Sequence, residues 1–375
     1  MNVLVTGGAG YIGSHVCRDL LAAGHDVVIV DDLSRGRAWT TDRLRELAGD
    51  AKRVAFHKCD VCDEAAIARA FETRPVDGVI HCAGVAYVSE SIADPAKYDR
   101  INTGGTRAML RACERFGVPR FLFSSSCTTY GDPGAAALPV REECPQRPMN
   151  PYGWSKLNAE KAVIDAQANR VASARPLHAA ILRYFNVAGC DRAGILGHDF
   201  DPETRVIPLC IMAALGKPGA VPFRVFGDDY ATPDGTCIRD YIPPDDVAAA
   251  HLRVLENLPR ATDQRGATDG PSAAHQCIDS PTNRSTDVRG RPSVAPHPRI
   301  YNLGTGKGVS VREIIAAVER VTGRRVPVEM APRREGDPAA LYCDPSRIQR
   351  ELGWKAACSS LDEIVATAAR WIAGR

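Results

Sequence analysis

A doubly wound α/β fold on a parallel sheet, followed by a smaller mixed α/β region, is predicted by three observations. The chain opens on a short apolar run, Val3-Leu4-Val5, that enters a glycine-rich turn and then an amphipathic stretch, Ser14 to Leu21. The order of strand followed by helix then recurs five times before residue 180. Beyond about residue 187 that alternation breaks, and Gly, Pro and Asp increase. Alternating strands and helices specify a parallel sheet covered on both faces, with ligands at the carboxyl ends of its strands.

The first turn carries Gly7, Gly8, Gly10 and Gly13 with Tyr11 and Ile12 between them, and fits both G-x-G-x-x-G and G-x-x-G-x-x-G. Glycines there let the backbone approach a pyrophosphate, and the following helix N-terminus offers free N–H groups. Asp26 to Val30 reads as the second strand. It ends at Asp31, some ~20 positions beyond the loop, where an acid takes the adenosine ribose hydroxyls of a dinucleotide. An acid repels a 2′-phosphate, so NAD is expected rather than NADP. Arg35 and Arg37 are read as a solvated basic loop.

Arg53 to His57 is a third strand, ending near Asp60 and Val61, which either contact adenine or, for Asp60, cap the helix Glu64 to Phe71. Gly78 to Cys82 is the fourth, opening into Ala83-Gly84, small residues that admit a cofactor; His81 is read as a packed core histidine. A helix from Asp99 to Phe116 carries Asn102, and Arg120 to Ser124 is the fifth strand, running into Ser126 and Thr128.

Asn150-Pro-Tyr-Gly-Trp-Ser-Lys156 starts a helix, with Pro151 in its first turn. Tyr152 and Lys156, four apart, share one face. A tyrosine hydroxyl titrates near pH ~10. A lysine ammonium and an oxidised nicotinamide beside it are expected to lower that value and make a general base for an alcohol. Ser126, from a different strand end, is placed to bond the same oxygen.

Ala179 to Phe185 is a sixth strand, ending at Asn186. The domain reading is therefore residues 1–187 as a Rossmann-type NAD-binding domain, rejoined by about 236–258, and 188–375 as a substrate domain. In the latter, Ile207 to Leu215 and Val247 to Asn257 read as helices, Phe223 to Phe226 and Val326 to Glu329 as strands, Ile300 to Gly304 as another strand, and Ser310 as the cap of Val311 to Val321. Helices close the chain at Pro345 to Leu352 and Leu361 to Ala373. Residues 259–298, rich in Ser, Thr, Gly and Pro, are expected to be a flexible insertion. Arg239 beside Asp240 and Arg334 beside Asp337 suit a diphosphate, or form surface ion pairs.

Composition narrows the partners. The 47 basic and 45 acidic residues leave a formal charge of +2, which gives no electrostatic case for nucleic acid or an anionic membrane. The 13 cysteines are odd in number and scattered, the pattern of a reducing cytoplasm. Cys59 and Cys62, in C-x-x-C spacing, are read as incidental thiols, and no metal-site spacing is present. No long uncharged apolar run suggests a signal peptide or a membrane span.

The motifs TGGAGYIGSH, SSSCTTYG, NPYGWSK, RYFNVAG, FGDDYATPDGTCIRDYI and RREGDP, in this order, make the chain resemble the UDP-glucose 4-epimerases of the extended short-chain dehydrogenase/reductases. The resemblance implies an isomerase of nucleotide-sugar and galactose metabolism with tightly bound NAD, commonly a homodimer. It implies Tyr152 as base with Ser126 and Lys156 assisting, a transient 4-keto sugar, and Asn102 near the nicotinamide. It assigns Asn186, Arg239 and Arg334 to the diphosphate and Asp337 to the uridine ribose, with Ser126, Thr128 and Tyr152 at the sugar. Leu341 stands where side-chain bulk limits room for an N-acetyl group, so 4-epimerisation of UDP-N-acetylhexosamines or UDP-uronates is the alternative. A non-catalytic NAD-binding regulator is a distant one, since Tyr152 and Lys156 are both present. No acid follows the serine run, which argues against a 4,6-dehydratase. The chain departs from the family's pattern at Ala86 (a lysine elsewhere), at Pro243-Pro244, and at Arg205, where an asparagine or histidine is usual.

Overall fold

The computed structural model describes residues 1–170, 173, 175–199, 202–218, 220–259, 297–334, 336–358 and 360–374. Strand β1 (Asn2–Thr6) enters the glycine loop, and α1 (Tyr11–Ala22) leaves it. Next come β2 (Asp26–Asp31), α2 (Ala38–Ala48), β3 (Val54–Lys58), α3 (Glu64–Glu72) and β4 (Gly78–His81). Two short helices, α4 (Val88–Ala93) and α5 (Pro95–Tyr98), lead into a π-helical turn, Asp99–Gly104, continuous with α6 (Gly105–Arg115). The expected helix from Asp99 is therefore present, with its first six residues wound wider than α. β5 (Arg120–Ser126), α7 (Pro151–Arg170) and β6 (His178–Tyr184) follow.

The remaining elements are β7 (Asn186–Val187), α8 (Val206–Leu215), β8 (Phe223–Phe226), β9 (Ile238–Arg239), β10 (Tyr241–Ile242) and α9 (Pro244–Asn257). After them come β11 (Arg299–Leu303), β12 (Val309–Ser310), α10 (Val311–Thr322), β13 (Val328–Ala331), β14 (Ala340–Leu341), α11 (Ser346–Leu352) and α12 (Leu361–Ala373). The main sheet has seven strands in the order β11-β6-β5-β4-β1-β2-β3, all parallel.

Both faces of this sheet are covered, which is why its strands read as unbroken Val/Ile/Leu runs. Successive side chains alternate between faces. Val3 and Val5 pack with Val16 and Leu20 of α1 and Val247 and Val254 of α9; Leu4 packs on the other face with Ile67 of α3, Met109 of α6 and Val163 of α7. A separate core in the substrate half joins Ile207 and Ile211 of α8, Val225 of β8, Ile314 and Val318 of α10 and Val365 of α12.

Several elements differ from the sequence reading. Arg299–Leu303 lies in the stretch assigned to the substrate domain, yet it is the edge strand of the main sheet, with Ile300 opposite Ile181. Ile348 and Leu352 of α11 join the core beneath it. The strand expected from Val326 begins at Val328. Helix α3 is capped by Asp63, which accepts from Ala66 N at 3.0 Å, while Asp60 accepts from Cys62 N at 2.9 Å. Ser310 and Glu313 form a full capping box on α10. The insertion read at 259–298 lies, over 260–296, outside the described residues.

Candidate active site

The glycine loop is dense. Gly7 has φ +68°, and a Cβ there would stand 2.8 Å from Ala83 N; at Gly13 a Cβ would meet Gly7 O at 2.2 Å. Any side chain at either position would push β1, α1 and the end of β4 apart. Gly10 caps α1 without a side-chain bond to the first turn, which leaves the N–H groups at Tyr11, Ile12 and Gly13 to a ligand anion. Asp31 is buried at the end of β2 and accepts from Ala9 N at 3.0 Å and Leu33 N at 2.9 Å. Burial raises its pKa, and these backbone N–H groups oppose the rise.

Arg35 and Arg37 are not a free basic loop. Arg35 Nη2 lies 3.4 Å from Glu90 Oε2, and its guanidinium 4.5 Å from the centroid of the Tyr87 ring. Arg37 pairs with Asp199 at 3.3 Å. Both cations already face carboxylates, so a 2′-phosphate would compete for them. The residues fit NAD: a cradle closed to side chains, an uncapped helix start and an acid at the second strand end.

Asp60 is half-buried and pairs with Arg100 at 3.0 Å; Val61 is buried against Gly105. Ala83 N donates to Thr6 Oγ1 at 3.1 Å. A Cβ at Gly84 would lie 2.7 Å from Asn102 Oδ1 and 3.4 Å from Lys156 Nζ, so these three residues meet at the end of β4. Asn102 Oδ1 accepts from Val85 N at 2.9 Å, and its Nδ2 donates to Val85 O at 3.0 Å and Ser155 Oγ at 2.9 Å. His81 is fully buried between Thr6 and Thr106, a core histidine pulled down to about 3 by burial.

Tyr152 is buried, with the Ser126 hydroxyl beside its phenol. Ser126 Oγ accepts from Thr128 N at 3.2 Å and Thr128 Oγ1 at 3.0 Å. Lys156 Nζ donates to Ser124 O at 2.9 Å and lies 5.0 Å from the Phe123 ring centroid. Burial pushes the Tyr152 phenol up to about 12, and the nearby Ser126 hydroxyl opposes it. Burial also pulls the Lys156 ammonium down to about 8. The expected lowering of the phenol by Lys156 is not seen in the chain's own structure. Burial dominates, and the ammonium is aimed at the Ser124 carbonyl.

Beneath the strand end lies a group the sequence reading missed. Glu160 accepts from Ser125 Oγ at 2.5 Å, from Gln146 Nε2 at 2.9 Å and from Arg183 Nη2 at 2.7 Å. The side chains of Arg183 and Glu160 are 3% and 1% exposed. Their signal in the sequence was a glutamate one turn beyond Lys156 on the same helix face. The pair fixes Ser125, the neighbour of Ser126.

The substrate half reaches this point through β9 and β14. Arg239 and Leu341 are register partners. Leu341 is buried with Cys127, Tyr130 and Phe185, which puts it beside the residue after Ser126. The carboxylate partners differ from their sequence neighbours. Asp337 accepts from Arg239 Nη2 at 3.4 Å, and Arg334 lies 3.8 Å from the centroid of the Phe226 ring. Asp240 is fully buried and accepts from Thr305 N, Thr305 Oγ1 and Gly306 N at 2.7–2.9 Å. Asn186, on β7, bonds through its N–H to Asp240 O at 2.9 Å. Pro243 and Pro244 open α9, where a missing N–H is harmless. Cys59 and Cys62 are free, both thiols pushed up to about 11 by burial, the opposite of a redox-active pair.

Fold and site together define a dinucleotide-dependent enzyme of the doubly wound class. The NAD dependent epimerase/dehydratase family matches residues 3–265, and the chain belongs to it. UDP-glucose 4-epimerase of Bacillus subtilis is 37% identical over 372 residues, 99% of this chain and 96% of its own length. UDP-arabinose 4-epimerase 1 of Arabidopsis thaliana is 39% identical over 376 residues, 99% of this chain and 79% of its own. Among solved structures, UDP-glucose 4-epimerase from Bifidobacterium longum in complex with NAD+ and UDP has a TM-score of 0.84 at 35% identity, covering 100% of this chain and 99% of that one. The enzyme from Stenotrophomonas maltophila with bound NAD and formylated UDP-arabinopyranose gives 0.83 at 37%, covering 100% and 98%. Among the described residues no helix is long and apolar enough to cross a membrane.

Proposed function

We propose that this enzyme is a UDP-glucose 4-epimerase, interconverting UDP-galactose and UDP-glucose. The observation that carries the reading is the meeting of Ser126, Tyr152 and Lys156 at the end of β5 with the β9–β14 strip of the other half. NAD, when bound by the glycine loop, Asp31 and Asn102, supplies the hydride acceptor and donor for sugar C4. Tyr152 takes the 4-OH proton and returns it. Its phenol needs positive charge nearby to ionise at neutral pH, since burial alone pushes it the other way. Lys156, one helical turn on and charged below about 8, is held ready by Ser124 O. Ser126 shares its hydroxyl with Tyr152 and orients the sugar oxygen. Arg239 and Arg334 hold the diphosphate while the 4-keto sugar turns over, and Asp337 takes the uridine ribose. Leu341 limits the room around the sugar.

In domain terms, residues 1–187, joined by 236–258 and β11, hold the cofactor, and the rest of 188–375 holds the nucleotide sugar. The same reading makes the protein a cytoplasmic homodimer, which sedimentation of the purified protein checks. The function is tested by incubating the protein, with no added NAD, with UDP-galactose, UDP-N-acetylgalactosamine, UDP-galacturonate and UDP-arabinose. UDP-glucose is expected to form from UDP-galactose fastest. No epimer from any of the four rejects the reading.

A further inference from the structure

The chain of the substrate half, over residues 189–199 and 202–205, comes back over the glycine loop. Tyr11, the first residue of α1, is where it lands. The Tyr11 hydroxyl donates to Gly189 O at 2.6 Å. His198 meets the Tyr11 ring edge-on, with centroids 5.9 Å apart and planes at 88°. Arg205 sets its guanidinium 5.1 Å from the same centroid. Glu203 ties the two together: Arg205 Nε and Nη2 donate to Oε1 and Oε2 at 2.9 and 2.6 Å, and His198 Nδ1 lies 3.3 Å from Oε2. The Glu203 and His198 side chains are 9% and 5% exposed and that of Arg205 24%, so the Glu203–Arg205 pair is partly shielded from water. A second strut joins Arg37 Nε to Asp199 Oδ2 at 3.3 Å, and Gly197 and Asp199 face Ala9 and Gly10 across one small cleft. Arg205, the departure from the family's usual asparagine or histidine, is thus neither a loose surface charge nor an isolated one.

We propose that Glu203 and Arg205 clasp Tyr11 and thereby set the rate at which NAD leaves the glycine loop, making the cofactor a resident group. The inference rests on the epimerase reading, in which one NAD serves successive turnovers. A dinucleotide held by loop N–H groups leaves only when the chain over the loop moves aside. Lifting this stretch takes the paired Arg205 guanidinium and the His198 ring off the Tyr11 face and breaks the Tyr11–Gly189 hydrogen bond and the Arg37–Asp199 pair in the same movement, and the need to lose these contacts together makes it slow. Neutral residues at 203 and 205 would let the stretch lift freely while Gly7, Gly10, Gly13 and Asp31 still bind the cofactor.

The test measures NAD, not turnover. Wild type, Arg205→Ala, Glu203→Gln and Asp199→Ala are purified, their NAD content is read after acid release, and exchange of bound NAD against excess radiolabelled NAD is timed. Arg205→Ala and Glu203→Gln are expected to exchange about tenfold faster or more, and to lose NAD on gel filtration, with Asp199→Ala about two- to threefold faster. Asp199 is a half-buried partner outside the Glu203–Arg205 pair, so its variant folds even where loss of that pair unfolds the others. Exchange at the wild-type rate in the folded variants overturns the clasp and leaves the epimerase reading intact. A wild-type protein that takes up no NAD at all overturns both.

Discussion

Lys156 is a positive charge set almost wholly out of water, 5% exposed at the end of β5. Replacing it with methionine keeps the bulk and removes the charge. Burial pulls the ammonium from 10.5 to about 8, which corresponds to roughly 3 kcal/mol of unfavourable burial at neutral pH. The substitution also deletes the bond to Ser124 O, worth about 1 kcal/mol. Lys156→Met is therefore expected to be about 2 kcal/mol more stable than wild type at pH 7. The pH dependence follows from proton counting. Below about 8 the lysine is charged in both folded and unfolded chains. Between 8 and 10.5 the unfolded chain holds a proton that the folded one has released, so wild-type stability rises with pH across that window. The advantage of the variant should vanish by pH 10.5. Urea denaturation at pH 7 and at pH 10.5, with NAD content matched between the proteins, measures the gap at both ends. Turnover should fall by ~10²-fold or more, the range of a general acid–base component. A variant less stable than wild type at pH 7, or a gap that does not change with pH, would refute the reasoning.

Three further expectations concern neighbouring residues. Tyr152→Phe should lose ~10²- to 10⁴-fold in turnover yet keep its NAD on gel filtration, because the phenol acts on the sugar; near-normal epimerisation rules Tyr152 out as the base. Leu341→Ser opens space beside Cys127 and Phe185 and should raise the rate on UDP-N-acetylgalactosamine relative to UDP-galactose, at a stability loss of about 2–4 kcal/mol; an unchanged substrate ratio removes Leu341 as the gate. Glu160→Gln strands the Arg183 guanidinium in the sheet and should cost about 3–5 kcal/mol in denaturant unfolding, where a loss below about 1 kcal/mol would show the pair to be dispensable.

The cofactor half was legible in the sequence because its determinants are local. Val3-Leu4-Val5 is buried on both faces, and the glycines adjoin the helix they feed. Tyr152 and Lys156 need only a helix between them to share a face. What stayed hidden depends on long-range placement. Arg239 sits next to Asp240 in the chain, but Asp240 turns inward to bind Thr305 and Gly306, and the guanidinium meets Asp337 instead. Arg299–Leu303 reads as a strand, yet only the parallel pairing with β6 shows which sheet it completes. Asp60 and Asp63 both precede α3, and backbone geometry alone chooses Asp63 as the cap. The phenol of Tyr152 shows the same limit in chemistry. A sequence names the lysine nearby but not the burial that outweighs it.

The π turn at Asp99–Gly104 has a consequence of its own. An α-helix advances about 100° per residue, and a π turn seats one residue more than that winding allows. The extra residue is what lets Asn102 face Val85 and Ser155 while Thr106 Oγ1, just beyond, still bonds Asn102 O at 2.6 Å. Deleting any single residue between 99 and 104 would let the segment relax to ordinary winding and swing Asn102 through about 100° relative to α6. Every side chain would survive such a deletion and the contact would not. At this turn the number of residues itself decides where Asn102 points.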